Sequence, residues 1–306
     1  MTGAIVQCLP GATEQAGRLA DRLGMAMHVI DVHRFPGGEL RVTVGPAAPT
    51  TIVMTSLDQP NDKLVVLLLA AEALRRGGTT RLVLVAPYLC YMRQDTAFHA
   101  GEAISQRVVG RLLAGAFDRV ITVDAHLHRT AHIAEVFPGI ASDNLSAMPA
   151  VADYLDANGF DPATVIAGPD AESEPWVRDL ARRLKADHAG ARKTRHGDRS
   201  VDMTFADPAL FADRPVLLVD DIVSSGGTML ACAKTLRAAG ATSIDAVITH
   251  ALFAAELTAT FLDAGFRSIK STDSVPHPTN AIELDALFAQ ALRVEIDGIG
   301  LHGLSS

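Results

Sequence analysis

No stretch of this chain is long and apolar enough to cross a bilayer. Its longest uninterrupted apolar run, residues 64–71, is bracketed by Lys63 and Glu72, whereas a spanning helix needs about 20 such residues. The first residues carry no basic segment ahead of their apolar ones, so no secretory signal is expected. Cysteine is scarce: Cys8, Cys90 and Cys232 are scattered without metal-ligand spacing, which predicts reduced thiols in a cytoplasmic protein and no redox role. A basic excess is missing as well, with 27 Lys and Arg against 35 Asp and Glu and a formal charge of -8, so a nucleic-acid partner is not expected. No G-x-x-x-x-G-K-[ST] motif occurs, so any nucleotide is held without a Walker loop. The one G-x-G-x-x-G match, residues 298–303, has only three residues after it and no helix to carry a pyrophosphate, which makes it a decoy.

What is present is a long, well-patterned chain. The 306 residues, 48% of them hydrophobic, suffice for two domains with substantial cores. Strand and helix signals alternate throughout, the pattern of βαβ units around mainly parallel sheets, so the fold class is α/β. Strands are expected at residues 4–9, 29–32, 40–44, 51–55, 81–87 and 119–123, with helices at 13–23, 61–76 and 102–116. The pattern restarts near residue 144 with a helix to 157, a strand at 165–167 and a helix at 172–184. A cationic segment, 185–199, precedes strands near 200–205, 216–221, 244–249 and 268–271, with helices over 229–239, 254–264 and 283–292. Two α/β halves follow, residues 1–146 and 147–306. They echo each other weakly, as any two βα units do.

The most chemical stretch is Val216 to Thr228. A β-branched apolar run ends in Asp220 and Asp221, where open α/β sheets bind ligands. Ser224, Ser225, Gly226, Gly227 and Thr228 then lead into a helix, and small hydroxyls with unhindered backbone N–H groups at a helix start make a phosphate cradle. The bland alternative is an ordinary turn; the acids and the hydroxyl-glycine loop together favour a sugar phosphate, with the acids on ribose hydroxyls or Mg²⁺. Other strand ends carry Asp124-Ala125-His126 and Gly168-Pro169-Asp170. His126 is a candidate Mg²⁺-phosphate ligand, whereas His128 and His132 read as helix-face residues and zinc as the weaker choice. Asp170 is either a ligand or an Asx turn capping the next helix. The long segment 88–101, holding Arg93-Gln94-Asp95, has the length of a functional loop. Phe35 in a Pro-Gly turn suggests stacking on a ring. The run 192–199 reads alone as a solvated loop, and in the presence of a triphosphate as a mobile cationic lid.

In their order, these segments resemble ribose-phosphate pyrophosphokinases, and the resemblance extends from residues 34–39 to 276–282. Its most specific parts are 93–95, 98–105, 123–126, 168–170, 193–195 and 220–228; a phosphoribosyltransferase would share only the last. The resemblance implies two phosphoribosyltransferase-like doubly wound domains with mainly parallel sheets, in a homo-oligomer, either dimer or hexamer. It implies that Phe35 and Glu39 contact adenine of ATP on a neighbouring subunit, that Arg93 and Gln94, with Asp95 beside them, hold ATP, and that His126 and Asp170 ligate Mg²⁺. Lys193 and Arg195 would be the catalytic lid cations, Asp220 and Asp221 would bind ribose hydroxyls, and residues 224–228 the 5-phosphate. The implied reaction makes phosphoribosyl pyrophosphate and AMP from MgATP and ribose 5-phosphate. The competing readings are a phosphoribosyltransferase and a non-catalytic regulatory homologue. Two departures bear on the nucleotide: Gly37 stands where the family usually has Asp or Asn, and Thr96 where a basic residue is common.

Overall fold

The structure, a computed structural model, describes residues 3–196 and 200–301, with the side chains of 193–202 and 297–301 left out of the description. The chain divides into two units, Met1–Leu145 with Asp285–Ser306, and Ser146–Leu284. In chain order the first unit has β1 (Ala4–Cys8), α1 (Thr13–Leu23), β2 (Met27–Val29), β3 (Asp31–Arg34), β4 (Leu40–Thr43), β5 (Thr50–Met54), α2 (Pro60–Arg76), β6 (Arg81–Ala86), α3 (Ser105–Ala114), β7 (Arg119–Val123) and β8 (Ala141–Leu145). The second has α4 (Met148–Ala157), β9 (Val165–Gly168), α5 (Glu174–Leu184), β10 (His188–His196), β11 (Ser200–Phe205), β12 (Pro215–Val223), α6 (Gly227–Ala238), β13 (Ser243–Ala251), α7 (Leu257–Asp263), β14 (Phe266–Thr272) and β15 (Asn280–Ile282). The last helix, α8 (Asp285–Leu301), is grouped with the first unit.

The first sheet is six-stranded and parallel, in the order β2-β1-β5-β6-β7-β8. Beside it β3 and β4 form a separate antiparallel hairpin. Strands β1, β5 and β7 are buried at every position, as a sheet covered on both faces requires. The core is filled by Leu67 and Leu74 from α2, Leu113 from α3, and Phe117 and Phe137 from the connections. Each such side chain contributes about 1.5–3 kcal/mol on burial. The second sheet is seven-stranded, β11-β10-β9-β12-β13-β14-β15, parallel except where β11 folds back on β10. From β9 the chain goes outward to β10 and then crosses to β12 on the other side, so its switch point lies between β9 and β12.

Four expectations are corrected here. The last helix was expected in the second half, residues 147–306; instead it packs on α1. Its register there is held by Arg22 pairing with Asp285 and by Glu295 bonding Arg81 and Arg119. A strand, β8, precedes the helix expected from residue 144; its sequence Ala-Ser-Asp-Asn-Leu is polar because it is an edge strand paired only with β7. The cationic segment is a strand, β10, over His188–His196, because pairing with β9 and β11 outweighs its polar composition. His128 and His132 are not on a helix: the first lies in a loop, and the second begins the short 3₁₀ turn Ile133–Glu135.

Among the described residues no helix is long and apolar enough to cross a membrane. The three cysteines are free and buried, and burial pushes the Cys90 and Cys232 thiols up to about 12 and raises that of Cys8. Such thiols are poor nucleophiles.

Candidate functional site

In the second unit the switch point carries chemistry from both flanking strands. Strand β9 ends in Gly168 and runs into Asp170, while β12 carries Asp220 and Asp221 near its own C-terminal end. Both carboxylates of β12 are buried, and each accepts the backbone N–H of the residue that follows it. Asp220 Oδ1 accepts the Asp221 N–H at 3.0 Å, and Asp221 Oδ1 accepts the Ile222 N–H at 2.8 Å. Burial, then the charges of Asp221 and Asp170, holds Asp220 well above the usual carboxylate range. A cation beside it, or a hydrogen bond donated by a ligand hydroxyl, would favour its ionised form.

Asp170 also has the structural role considered as its alternative: Oδ1 accepts the N–H groups of Glu172 at 3.0 Å and Ser173 at 3.1 Å, organising the entry to α5. Gly168 is required beneath it, because a Cβ there would lie 2.2 Å from Ser173 Oγ.

Beyond Asp221, Ser224, Ser225 and Gly227 are exposed and Thr228 is half-buried, a row of donors at the start of the 12-residue helix α6. Gly226 turns the chain into that helix at φ +75°, and a Cβ on it would meet Phe261 Cζ at 2.6 Å and Leu257 Cδ2 at 2.8 Å. The loop is thus seated directly on α7. Phe261 in turn packs edge-on against Phe253 and Phe266, at centroid distances of 5.4 and 5.5 Å. No motif pointed to Phe261, since an apolar helix residue carries no local sign of what lies above it. Lys193 and Arg195, the expected lid cations, fall on β10 opposite Met203 and Val201 of β11; their side chains lie outside the described residues.

In the first unit the residues expected to take nucleotide sit on two segments. Phe35 and Glu39 are exposed at the tip of the β3–β4 hairpin, closed by Phe35 N–H to Glu39 C=O and Gly38 N–H to Phe35 C=O, both 2.8 Å. Gly37 has nothing within 4 Å of a Cβ position, so the missing side chain leaves open space. Arg93 is exposed and Gln94 half-buried in the segment after β6. Asp95, by contrast, is buried and bonded to Arg129 rather than presented outward.

His126 follows β7 through Asp124, whose φ of +38° turns the strand abruptly, a conformation Asp tolerates better than most residues. Its Nε2 lies 2.6 Å from that of His128, so His128, set aside as a helix residue, stands beside it. His126 belongs to the first unit and Asp170 to the second. For a divalent ion, the oxygens of Asp170, Asp220 and Asp221 suit hard Mg²⁺; imidazole is a less typical ligand and fits best where waters and phosphates complete the shell.

The profile of the N-terminal domain of ribose phosphate pyrophosphokinase matches residues 6–116, and that of the phosphoribosyl transferase domain matches residues 150–284. A ribose-phosphate pyrophosphokinase of Methanopyrus kandleri is 32% identical over 277 residues, covering 90% of this chain and 94% of its own. One from Methanobrevibacter smithii is 30% identical, with 91% and 96% covered. Among solved structures, a phosphoribosylpyrophosphate synthetase from Mycobacterium smegmatis superposes with a TM-score of 0.84 over 96% of this chain and 99% of that one, at 24% identity. That likeness establishes the shared fold.

Proposed function

This chain belongs to the ribose-phosphate pyrophosphokinase family, and we propose that it transfers the β,γ-pyrophosphoryl group of MgATP to O1 of ribose 5-phosphate. The observation that carries the reading is the switch point of the second unit, where the β12 carboxylates run into an exposed Ser/Gly/Thr loop at a helix start. That pairing of acids with a phosphate cradle suits a sugar phosphate bearing vicinal hydroxyls. Asp220 and Asp221 take the ribose hydroxyls, and residues 224–228 donate to the 5-phosphate.

Phe35, Glu39, Arg93 and Gln94 bind the nucleotide, the first two across to a neighbouring copy in a homo-oligomer. His126 of the first unit and Asp170 of the second would each offer a ligand to Mg²⁺, which would offset the charge of the triphosphate. The O1 hydroxyl attacks the β-phosphorus in line while the bond from that phosphorus to the α,β-bridging oxygen breaks. The hydroxyl loses its proton and AMP leaves. The protein's part is mostly positioning and charge neutralisation, with Lys193 and Arg195 set against the charge that develops. The cytoplasm, with its reduced thiols, suits the three buried cysteines.

The match of both units across the chain disfavours a phosphoribosyltransferase. Purified protein supplied with MgATP and ribose 5-phosphate should release AMP in a coupled assay. Folded protein that releases none, or that consumes phosphoribosyl pyrophosphate with a free base and no ATP, overturns the proposal.

A further inference from the structure

Two loops of the first unit are laced together at two points. Gln106, at the start of α3, donates from Nε2 to Met92 C=O at 3.4 Å and from its backbone N–H to Gln94 C=O at 3.2 Å, and its Oε1 accepts from Thr130 Oγ1 at 2.9 Å. The second point is Asp95. Its carboxylate, with the side chain 1% exposed, accepts the Arg129 backbone N–H on Oδ2 at 3.0 Å and Arg129 Nη1 on Oδ1 at 2.9 Å. A buried carboxylate needs such a partner.

The partner itself is not buried. The Arg129 side chain is 61% exposed, and its guanidinium carbon lies 5.7 Å from the centroid of the Phe98 ring, another exposed group. A cation held on one side by a carboxylate and resting on an aromatic ring has already lost much of its rotamer freedom. A guanidinium also carries five N–H donors in a planar fork that matches phosphate oxygens, and the contact with Oδ1 takes one of them. The loops laced by these bonds are those bearing Arg93 and Gln94 on one side and His126 on the other.

We propose that Arg129 is a nucleotide-binding residue, its guanidinium steered by Asp95 to donate to the phosphate oxygens of the bound nucleoside triphosphate. Asp95 is then a positioning residue that acts through Arg129. The inference rests on the reading of the 93–95 and 126 loops as the ATP side of the reaction.

The test measures affinity for Mg²⁺ with α,β-methylene-ATP by calorimetry, affinity for ribose 5-phosphate, and thermal stability, in wild type, Arg129→Gln, Arg129→Lys and the double variant Asp95→Asn/Arg129→Gln. The double variant removes the ion pair as a unit, so no buried carboxylate is left without a partner. Arg129→Gln and the double variant should each weaken nucleotide binding about tenfold to a hundredfold, with ribose 5-phosphate affinity within about twofold of wild type. Arg129→Lys should fall between. Wild-type nucleotide affinity in the double variant reduces Arg129 to a counter-ion for Asp95 and overturns the proposal. So does an equal loss of ribose 5-phosphate affinity, which marks general damage to the fold. Failure of the reaction reading is distinguishable, since it appears as wild-type protein that releases no AMP.

Discussion

Gly226 shows how much of the site hangs on single positions. It combines a left-handed φ of +75° with a contact that leaves no room for a side chain against Phe261 and Leu257. Gly226→Ala meets both obstacles: the backbone strain costs about 1–3 kcal/mol, and α7 or the loop must shift. The expected outcome is a rise in KM for ribose 5-phosphate of about tenfold or more with KM for ATP little changed, read from initial rates with each substrate varied. An unchanged KM for ribose 5-phosphate would separate the loop from the sugar phosphate.

Other residues changed meaning once seen in place. Asp95 stands in the sequence beside Arg93 and Gln94 as part of the triplet expected to hold ATP, yet it is buried on Arg129. The sequence carries no sign of this because the partner lies 34 positions away.

The element that departs most from its sequence reading is the β10–β11 hairpin. Residues 185–199 are polar and cationic, and 192–199 read as a solvated loop; the backbone of His188–His196 instead extends as a strand, pairing with β9 over 188–190 and with β11 over 191–196. Residue-level propensity is a weak guide to strands, whose stability comes from neighbours that a single window does not contain. A paired hairpin brings Lys193 and Arg195 in on a defined backbone. Lys193→Ala should lower kcat by about a hundredfold to a thousandfold, while ribose 5-phosphate binding measured by calorimetry stays near wild type. A variant with unchanged kcat removes Lys193 from the reaction, and a loss confined to ribose 5-phosphate binding reassigns it to the sugar.

Elements whose pattern is set locally were legible. The runs at β1, β5, β6, β7 and β12 lie at or within two residues of their expected bounds, because strands buried on both faces must be apolar throughout. The polar edge strand β8 and the three-residue β15 were not, since an edge has one face or less to bury.

At the scale of the whole molecule, the C-terminal helix returns to the unit that the chain began with. Glu295, 8% exposed, takes Arg81 bidentately at 2.8 and 2.9 Å and Arg119 at 3.0 Å. The bond from Arg81 and then that from Arg119 outweigh burial and hold its carboxyl below the usual range. A carboxyl depressed in the folded state contributes stability above its unfolded value of about 4.3, and that contribution is lost as pH falls through the lower, folded value. Glu295→Gln should therefore cost about 1–3 kcal/mol at pH 7 and flatten the acid limb of the stability curve. Urea unfolding at pH 7 and pH 4 checks both; a variant whose stability deficit is the same at the two pH values would rule out the ionised pair as the source.

The sequence by itself determined the α/β class and the alternation of the elements, because buried strands, helix faces and turn chemistry are written over windows of ten to twenty residues. Tertiary structure decided what depends on distant partners. It placed Asp170 and the β12 acids on either side of the switch point, seated Gly226 on Phe261, turned Asp95 toward Arg129 and returned α8 to the first unit. Each of these is a contact between segments far apart along the chain, and no local window of sequence holds both members.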